Sequence, residues 1–263
     1  MLELAILLPP SEQQNKHGNK FAPDVFDYRE RTTFNQFHEL IPERRRLIDT
    51  LHRAIDVDGE DTVAKALGGV RGVRLMKNVY SAELMAARRR YEAGALYAGL
   101  DFPRLPTGAQ RRFLESSIII SGLFGLLRPD DLMPEYLLPV TATVPGLGPV
   151  KDYWRPVISP LLNKAVQDCM VWDLLSEEHR DVWDDGRTYK MYVRVKFYDR
   201  NESEVTDTLA LRGKLAAHLV HQNKVTLETI TSWKGKASQG YRFSERRSQL
   251  DEDMSVVLAM IRR

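Results

Sequence analysis

Three consecutive isoleucines, Ile118-Ile119-Ile120, run straight into Ser121-Gly122-Leu123-Phe124-Gly125 and on to Leu126-Leu127-Arg128-Pro129-Asp130-Asp131. No other stretch constrains the fold as strongly. An apolar β-branched run bounded by turn residues reads as a buried strand. Two glycines three residues apart let the chain reverse tightly, with its N–H groups pointing outward. Two readings of the turn stand side by side. Its amides can hold a phosphate while Arg128 supplies a bidentate fork. Alternatively it is a packing turn in which Arg128 pairs internally with Asp130 or Asp131. The turn lacks the Gly-Lys-[Ser/Thr] ending of a nucleoside-triphosphate loop.

Around this stretch the chain alternates irregularly between strand-like and helix-like segments. Leu2 to Leu8 reads as a first strand that Pro9-Pro10 ends, feeding the polar loop "PPSEQQNKHGNKFAPD". Pro42 to Ala66 carries apolar residues at helical spacing, with Pro42 at the helix start and a break at Asp58-Gly59. Gly68 to Leu75 reads as a second glycine-rich turn, and Ser81 to Tyr97 as a helix. Helices are expected at Thr107–Ser117, Val150–Gln167 and Leu209–Leu219. Strands are expected at Met170–Leu174 and Tyr189–Tyr198, and the end "SVVLAMIRR" closes as a strand or a helix. No repeat or linker marks a boundary, so the reading is one domain over residues 1–263, of the α+β class with a mixed sheet and surrounding helices.

A chain of 263 residues with 43% hydrophobic and 28% charged content can bury a real core, which excludes a disordered protein. The net charge of +2 argues for no partner by itself; a nucleic-acid case has to rest on where the charge lies. The apolar start has no basic flank and no small-residue cleavage site, so it reads as a strand and not a leader. No segment approaches the roughly eighteen apolar residues of a membrane span. One cysteine, Cys169, excludes an internal disulfide, suits a reducing compartment and reads as a core residue. The expectation is a soluble, cytoplasmic protein without cofactor or metal, since the six histidines show no convincing ligand spacing.

Basic residues cluster at Arg44–Arg46 with Arg74 and Lys77, and again at Lys234, Lys236, Arg242, Arg246 and Arg247. They suit either a phosphate-binding stripe or ordinary solvated faces. Glu12 sits where the first strand meets its loop, a position that suits a general acid or base or a helix-capping partner.

The segment "SGLFGLLRPDDLMPEYLL" closely resembles the signature of the YaaA family of bacterial peroxide-stress proteins. Further segments fall in the family's order: "LAILLPPSE", "ALYAGLDF", "KDYWRPVISPLLNKAV", "LRGKLAAHLV" and "GYRFSE". The resemblance implies a single fold with a helix-hairpin-helix element and a positively charged cleft. It also implies DNA binding and a role in limiting damage by peroxide and free iron. The hairpin maps onto Ser121–Gly125. Phosphate contacts are then expected from Ser121, Gly122, Gly125, Arg128, Arg212 and Lys214, with Lys16, Tyr97, Trp154 and Tyr241 lining the cleft. The chain departs from the family in two places. A lysine expected soon after the opening Pro-Ser-Glu is delayed to Lys16 or Lys20, and lysines expected before the late Arg-Gly pair are replaced by Leu209, Ala210 and Leu211. Two functions therefore stay open. One is non-sequence-specific contact with the DNA backbone. The other is an enzyme acting on a nucleotide, nucleoside or modified base, with Glu12 and Asp131 as candidate catalytic acids.

Overall fold

The structure is a computed structural model that describes residues 3–18, 36–250 and 255–262. Leu2, Lys20 and the outermost ends of the expected 1–263 unit lie outside the described residues. In chain order the elements begin with β1 (Leu4–Leu8), α1 (Ile41–Val57), α2 (Glu60–Ala64), α3 (Val70–Lys77), β2 (Met85–Ala86), α4 (Ala87–Arg90), α5 (Ala95–Leu100) and α6 (Thr107–Ser116). Then come β3 (Ser117–Ser121), β4 (Gly125–Leu127), β5 (Leu132–Met133), β6 (Thr143–Val144), β7 (Gly148–Pro149), α7 (Val150–Ala165) and β8 (Met170–Asp173). The last part supplies α8 (Glu177–Arg180), β9 (Met191–Tyr198), α9 (Leu209–His221), α10 (Thr229–Ser232), β10 (Tyr241–Leu250) and β11 (Ser255–Arg262).

Seven strands form one mixed sheet in the order β10-β11-β9-β8-β1-β3-β4. The five inner strands run parallel, and the two outer pairs, β10 with β11 and β3 with β4, are antiparallel. Their sequences follow their positions. Strands β3 and β8 are buried at every residue and β1 at all but its first, as parallel strands covered on both faces require. The edge strand β10 is mostly exposed or half-buried and carries Arg242, Glu245, Arg246 and Arg247, charges that blunt an open edge. Helix α1 buries the apolar stripe Leu47, Ile48, Leu51, Ala54 and Ile55, with Pro42 in its first turn. Together these elements make an α+β fold around one hydrophobic cluster. No helix among the described residues is long and apolar enough to cross a membrane.

Several expectations need correction. The Gly68–Leu75 segment is not a turn: Gly69, at φ 103°, starts helix α3. The expected Ser81–Tyr97 helix is broken into β2, α4, a short 3-10 turn and α5, because Arg88 and Ala87 donate their backbone N–H groups to the carbonyls of Pro129 and Asp131 and draw the chain into a two-stranded pairing with β5.

The hairpin at Ser121–Gly125 is a further correction. It joins two antiparallel strands, β3 and β4, and not two helices. Its backbone is buried throughout, and each group in it has an inward task. Ser121 Oγ accepts the Phe124 N–H at 3.1 Å. The Gly122 carbonyl accepts the indole N–H of Trp154 at 2.8 Å. A Cβ at Gly122 would collide with the Leu138 carbonyl, and Gly125 at φ 68° lies against the Trp154 ring, so neither position tolerates a side chain. On the outer edge of β4, the fully buried guanidinium of Arg44 donates from Nε to the Phe124 carbonyl at 2.9 Å and from Nη2 to the Leu126 carbonyl at 2.7 Å. Burial draws the Arg44 pKa down to about 9, against the favourable field of Asp131, so the group stays cationic at neutral pH. Arg44→Ala is expected to lower unfolding stability by about 3–5 kcal/mol, because it orphans two buried carbonyls and leaves Asp131 short of a counter-charge. Urea titration measures this; a loss under about 1 kcal/mol would remove Arg44 from that role.

Candidate functional site

The carboxyl ends of the neighbouring parallel strands β1 and β8 open into a cleft of about 720 Å³. That is where open sheets commonly bind ligands, since the loops leaving the strands diverge there. The loop after β1 forms one wall, and four side chains hold it in place. Tyr97 donates its hydroxyl to the Pro9 carbonyl at 2.8 Å. Gln14 acts as a surrogate strand: its Nε2 donates to the Tyr136 carbonyl at 2.8 Å, and its Oε1 accepts the Tyr136 N–H at 3.2 Å. Ser11 Oγ accepts the Gln13 N–H and donates to the Gln13 carbonyl. Arg90, itself buried, gathers the carbonyls of Asn15, His17, Glu83 and Met133. Glu12 is exposed on this stiffened loop and lines the cleft.

The opposite wall comes from the end of β8 and the start of α9. Asp173, buried at the last position of β8, accepts the Leu175 N–H on Oδ1 and both Arg180 Nε (2.5 Å) and the Tyr192 hydroxyl (2.7 Å) on Oδ2. Arg212 donates to the carbonyls of Leu174 and Leu175. Helix α9 crosses α5 in backbone contact. A Cβ at Gly213 would run into the Leu96 carbonyl and one at Gly99 into the Ala210 carbonyl, which explains the glycine after Arg212. The close crossing sets Leu96 and Leu209 beside the cleft.

The charged lining among the described residues is Glu12, Glu178 and Arg71, and Arg71 forms an ion pair with Glu135. Ser176 and His179 line the same wall, their Oγ and Nδ1 2.8 Å apart. Burial pushes the His179 imidazole down to about 4 despite the opposing field of Glu178. Deeper in, a hydroxyl chain runs from Ser121 through Tyr136 to Tyr91, at 2.7 and 2.8 Å, and burial raises both phenols above their ordinary value. Among the described residues no group of three His, Cys, Asp or Glu side chains is placed to hold a metal ion. Cys169 is buried.

The structure separates most of the residues that the sequence grouped together. Glu12 lines the cleft, and Tyr97 supports the wall from beneath. Trp154 is buried behind the hairpin and Tyr241 in the core against Phe197. Lys16 is exposed farther along the loop, and Lys214 is half-buried on α9. Ser121, Gly122 and Gly125 face the interior. The Arg128 guanidinium is engaged by the carbonyls of Ser117 and Glu115 at 2.8 and 2.7 Å, where α6 runs into β3. Asp131 is fully buried and accepts the Arg128 N–H at 2.6 Å, a turn cap remote from the cleft lining. Sequence reasoning missed Arg71, Tyr136, Ser176 and His179. For the last two a signal existed: Ser176-x-x-His179 directly follows the apolar strand Met170–Asp173, at the end where open sheets place their sites.

Fold and cleft together define an open-sheet α+β protein with a ligand-sized crevice at its strand ends. The chain belongs to the family described as peroxide stress protein YaaA, whose model matches residues 4–247. It is similar to a UPF0246 protein of Streptomyces coelicolor, 31% identical over 186 residues covering 68% of this chain and 67% of the relative. A UPF0246 protein of Flavobacterium johnsoniae is 28% identical over 158 residues, 57% of this chain and 61% of its own length. One from a Shewanella species is 29% identical over 168 residues, 60% and 64% respectively. The matched segments thus span about three fifths to two thirds of these relatives.

The depressed His179 pKa carries a stability consequence. The unfolded chain takes up this proton below the ordinary value of 6.5, whereas the folded protein resists it down to about 4. Folding stability from the neutral ring is therefore complete above about pH 6.5 and is lost as pH falls toward 4. Thermal unfolding across that window should show a steeper acid loss for the wild type than for His179→Gln. Equal slopes would mean that the ring titrates normally.

Proposed function

We propose that this protein acts through the cleft, holding a nucleoside-sized, polar and largely uncharged molecule (a nucleoside or modified base) with Glu12 as the acid/base group beside it. The observation that carries this reading is the lining itself. A space of about 720 Å³ suits such a molecule, and its described charges are two carboxylates and one arginine that is already paired. A polyanion entering there would meet no excess of positive charge among those residues, whereas ribose hydroxyls and base edges suit carboxylates, amides and a serine.

A second reading, contact with the DNA backbone, follows from the family resemblance and has its own support on α1. Arg45, Arg46 and Arg53, with Asp49 as the one acid among the described residues there, surround a shallow concavity of about 480 Å³ together with Gly146 and Leu147. Exposed cations on one helix face suit phosphate contacts that position without reading sequence. This surface, and not the buried hairpin, is where such contact is proposed.

Calorimetric titration of purine and pyrimidine nucleosides and free bases tests the first reading. Saturable binding that weakens about tenfold or more in Glu12→Gln is expected, the size of a lost charge-assisted hydrogen bond. Duplex DNA titrated over a salt series, against wild type and an Arg45→Ala/Arg53→Ala double variant, tests the second. Steep loss of DNA binding with salt, weakened in that variant, with no nucleoside binding at all, would replace the first reading by the second.

A further inference from the structure

We propose that His179 is a standing hydrogen-bond acceptor of the cleft, held neutral with its proton on Nδ1 and its Nε2 lone pair available to the ligand by a relay through Ser176 to Glu178. The inference rests on the cleft being a ligand site and adds to it the group that reads the ligand's N–H or O–H. Its basis is an accounting of protons. Ser176 Oγ lies 2.8 Å from Glu178 Oε1 and 2.8 Å from His179 Nδ1. The hydroxyl has one proton, and a carboxylate only accepts. If that proton went to the imidazole, the hydroxyl and carboxylate oxygens would face each other at 2.8 Å with lone pairs alone. The proton therefore goes to Glu178, and Ser176 Oγ accepts from His179 Nδ1–H. A neutral imidazole carries one proton, so Nε2 is bare.

Three further observations agree. His179 and both relay partners line the cleft. Nε2 makes no hydrogen bond among the described residues, although the side chain is only 12% exposed. Ser176 precedes α8 yet makes no side-chain bond to that helix's backbone N–H groups, so its hydroxyl is not occupied as a cap. The surrounding charges leave the relay intact. Arg180 is committed to Asp173, while Arg212 of α9 lies near Glu178 and helps to keep it ionised. Glu177, the remaining acid on α8, is exposed and acts on Arg212.

The test is two-bond ¹H–¹⁵N correlation spectroscopy of the labelled protein, with the His179 signals assigned by their loss in His179→Gln. Protonated Nδ1 and bare Nε2 are expected at about pH 6 and about pH 8 alike, and Ser176→Ala should shift the ring toward the Nε2–H form. An Nε2–H ring in the wild type, or an imidazolium at about pH 6, overturns the relay. In the second arm, whichever nucleoside of the titrated panel binds should move the Nε2 resonance. Its affinity should fall about tenfold in His179→Ala with the unfolding midpoint maintained. A bound nucleoside that leaves Nε2 unmoved overturns the ligand role while the cleft reading stands. Failure of every nucleoside to bind overturns the cleft reading and the ligand role together, whereas the tautomer result is decided independently by the first arm.

Discussion

The fold depends on arginine side chains bonded to backbone carbonyls. Arg44 closes the outer edge of β4, Arg128 covers the junction of α6 with β3, Arg90 gathers four carbonyls from two loops and β5, and Arg212 ties α9 to the end of β8. The reason is architectural. Many elements here are two to five residues long, and long irregular segments pass between them, so carbonyls without ladder partners are carried into the interior. An unpaired buried carbonyl is costly, and a guanidinium presents five donors in a fixed fork that can satisfy several at once. A cation buried this way needs many partners to offset its desolvation, so each of these arginines is fixed in place by the loops it joins.

The same constraint explains why the signature segment is so particular in composition. Ser121, Gly122, Gly125, Arg128 and Asp131 each close a specific contact around one tight reversal at the sheet edge. Leu138 and Trp154 pack so closely on it that glycine is the only residue with room. The segment that marks the family is in this chain a structural joint, and its rigidity carries across to the cleft. Ser121 bonds the Tyr136 hydroxyl, and the Tyr136 backbone bonds Gln14, on the loop that presents Glu12. Hairpin and cleft thus form one continuous network, although only the cleft opens to solvent.

The chain belongs to the peroxide stress protein family, and the cleft is where we propose that it acts. Among the described residues the cleft lining joins apolar side chains such as Leu96, Leu138 and Leu209 with the carboxylates of Glu12 and Glu178, the paired Arg71, and neutral polar groups. The carboxylates sit on elements braced from behind, Glu12 by the Gln14 and Tyr97 contacts and Glu178 by the Asp173 cluster. Such bracing holds polar groups at fixed positions without the ligand having to order them, which is what selective recognition requires.

Much of the framework was legible from local pattern. The apolar runs at Leu2–Leu8, Ile118–Ile120 and Met170–Leu174 announced strands, found at Leu4–Leu8, Ser117–Ser121 and Met170–Asp173. The stripe of α1 announced its core face, and the break at Asp58-Gly59 its end. Where local pattern failed, a distant partner had prevailed: β5 drew residues 85–86 out of a helix. The candidate site was harder to read, because an arginine or aspartate beside a glycine turn looks the same in sequence whether its partner is a phosphate or a carbonyl. By itself, the sequence determined the family, the α+β class and the presence of a tight buried reversal, all of which follow from residue type and spacing. Only the tertiary structure decided that the signature's Arg128 is spent on the carbonyls of Ser117 and Glu115, that Glu12 shares one cleft with Ser176 and His179, and which charges line that space. Those are questions of which distant groups satisfy one another's hydrogen bonds, and chain order does not encode that.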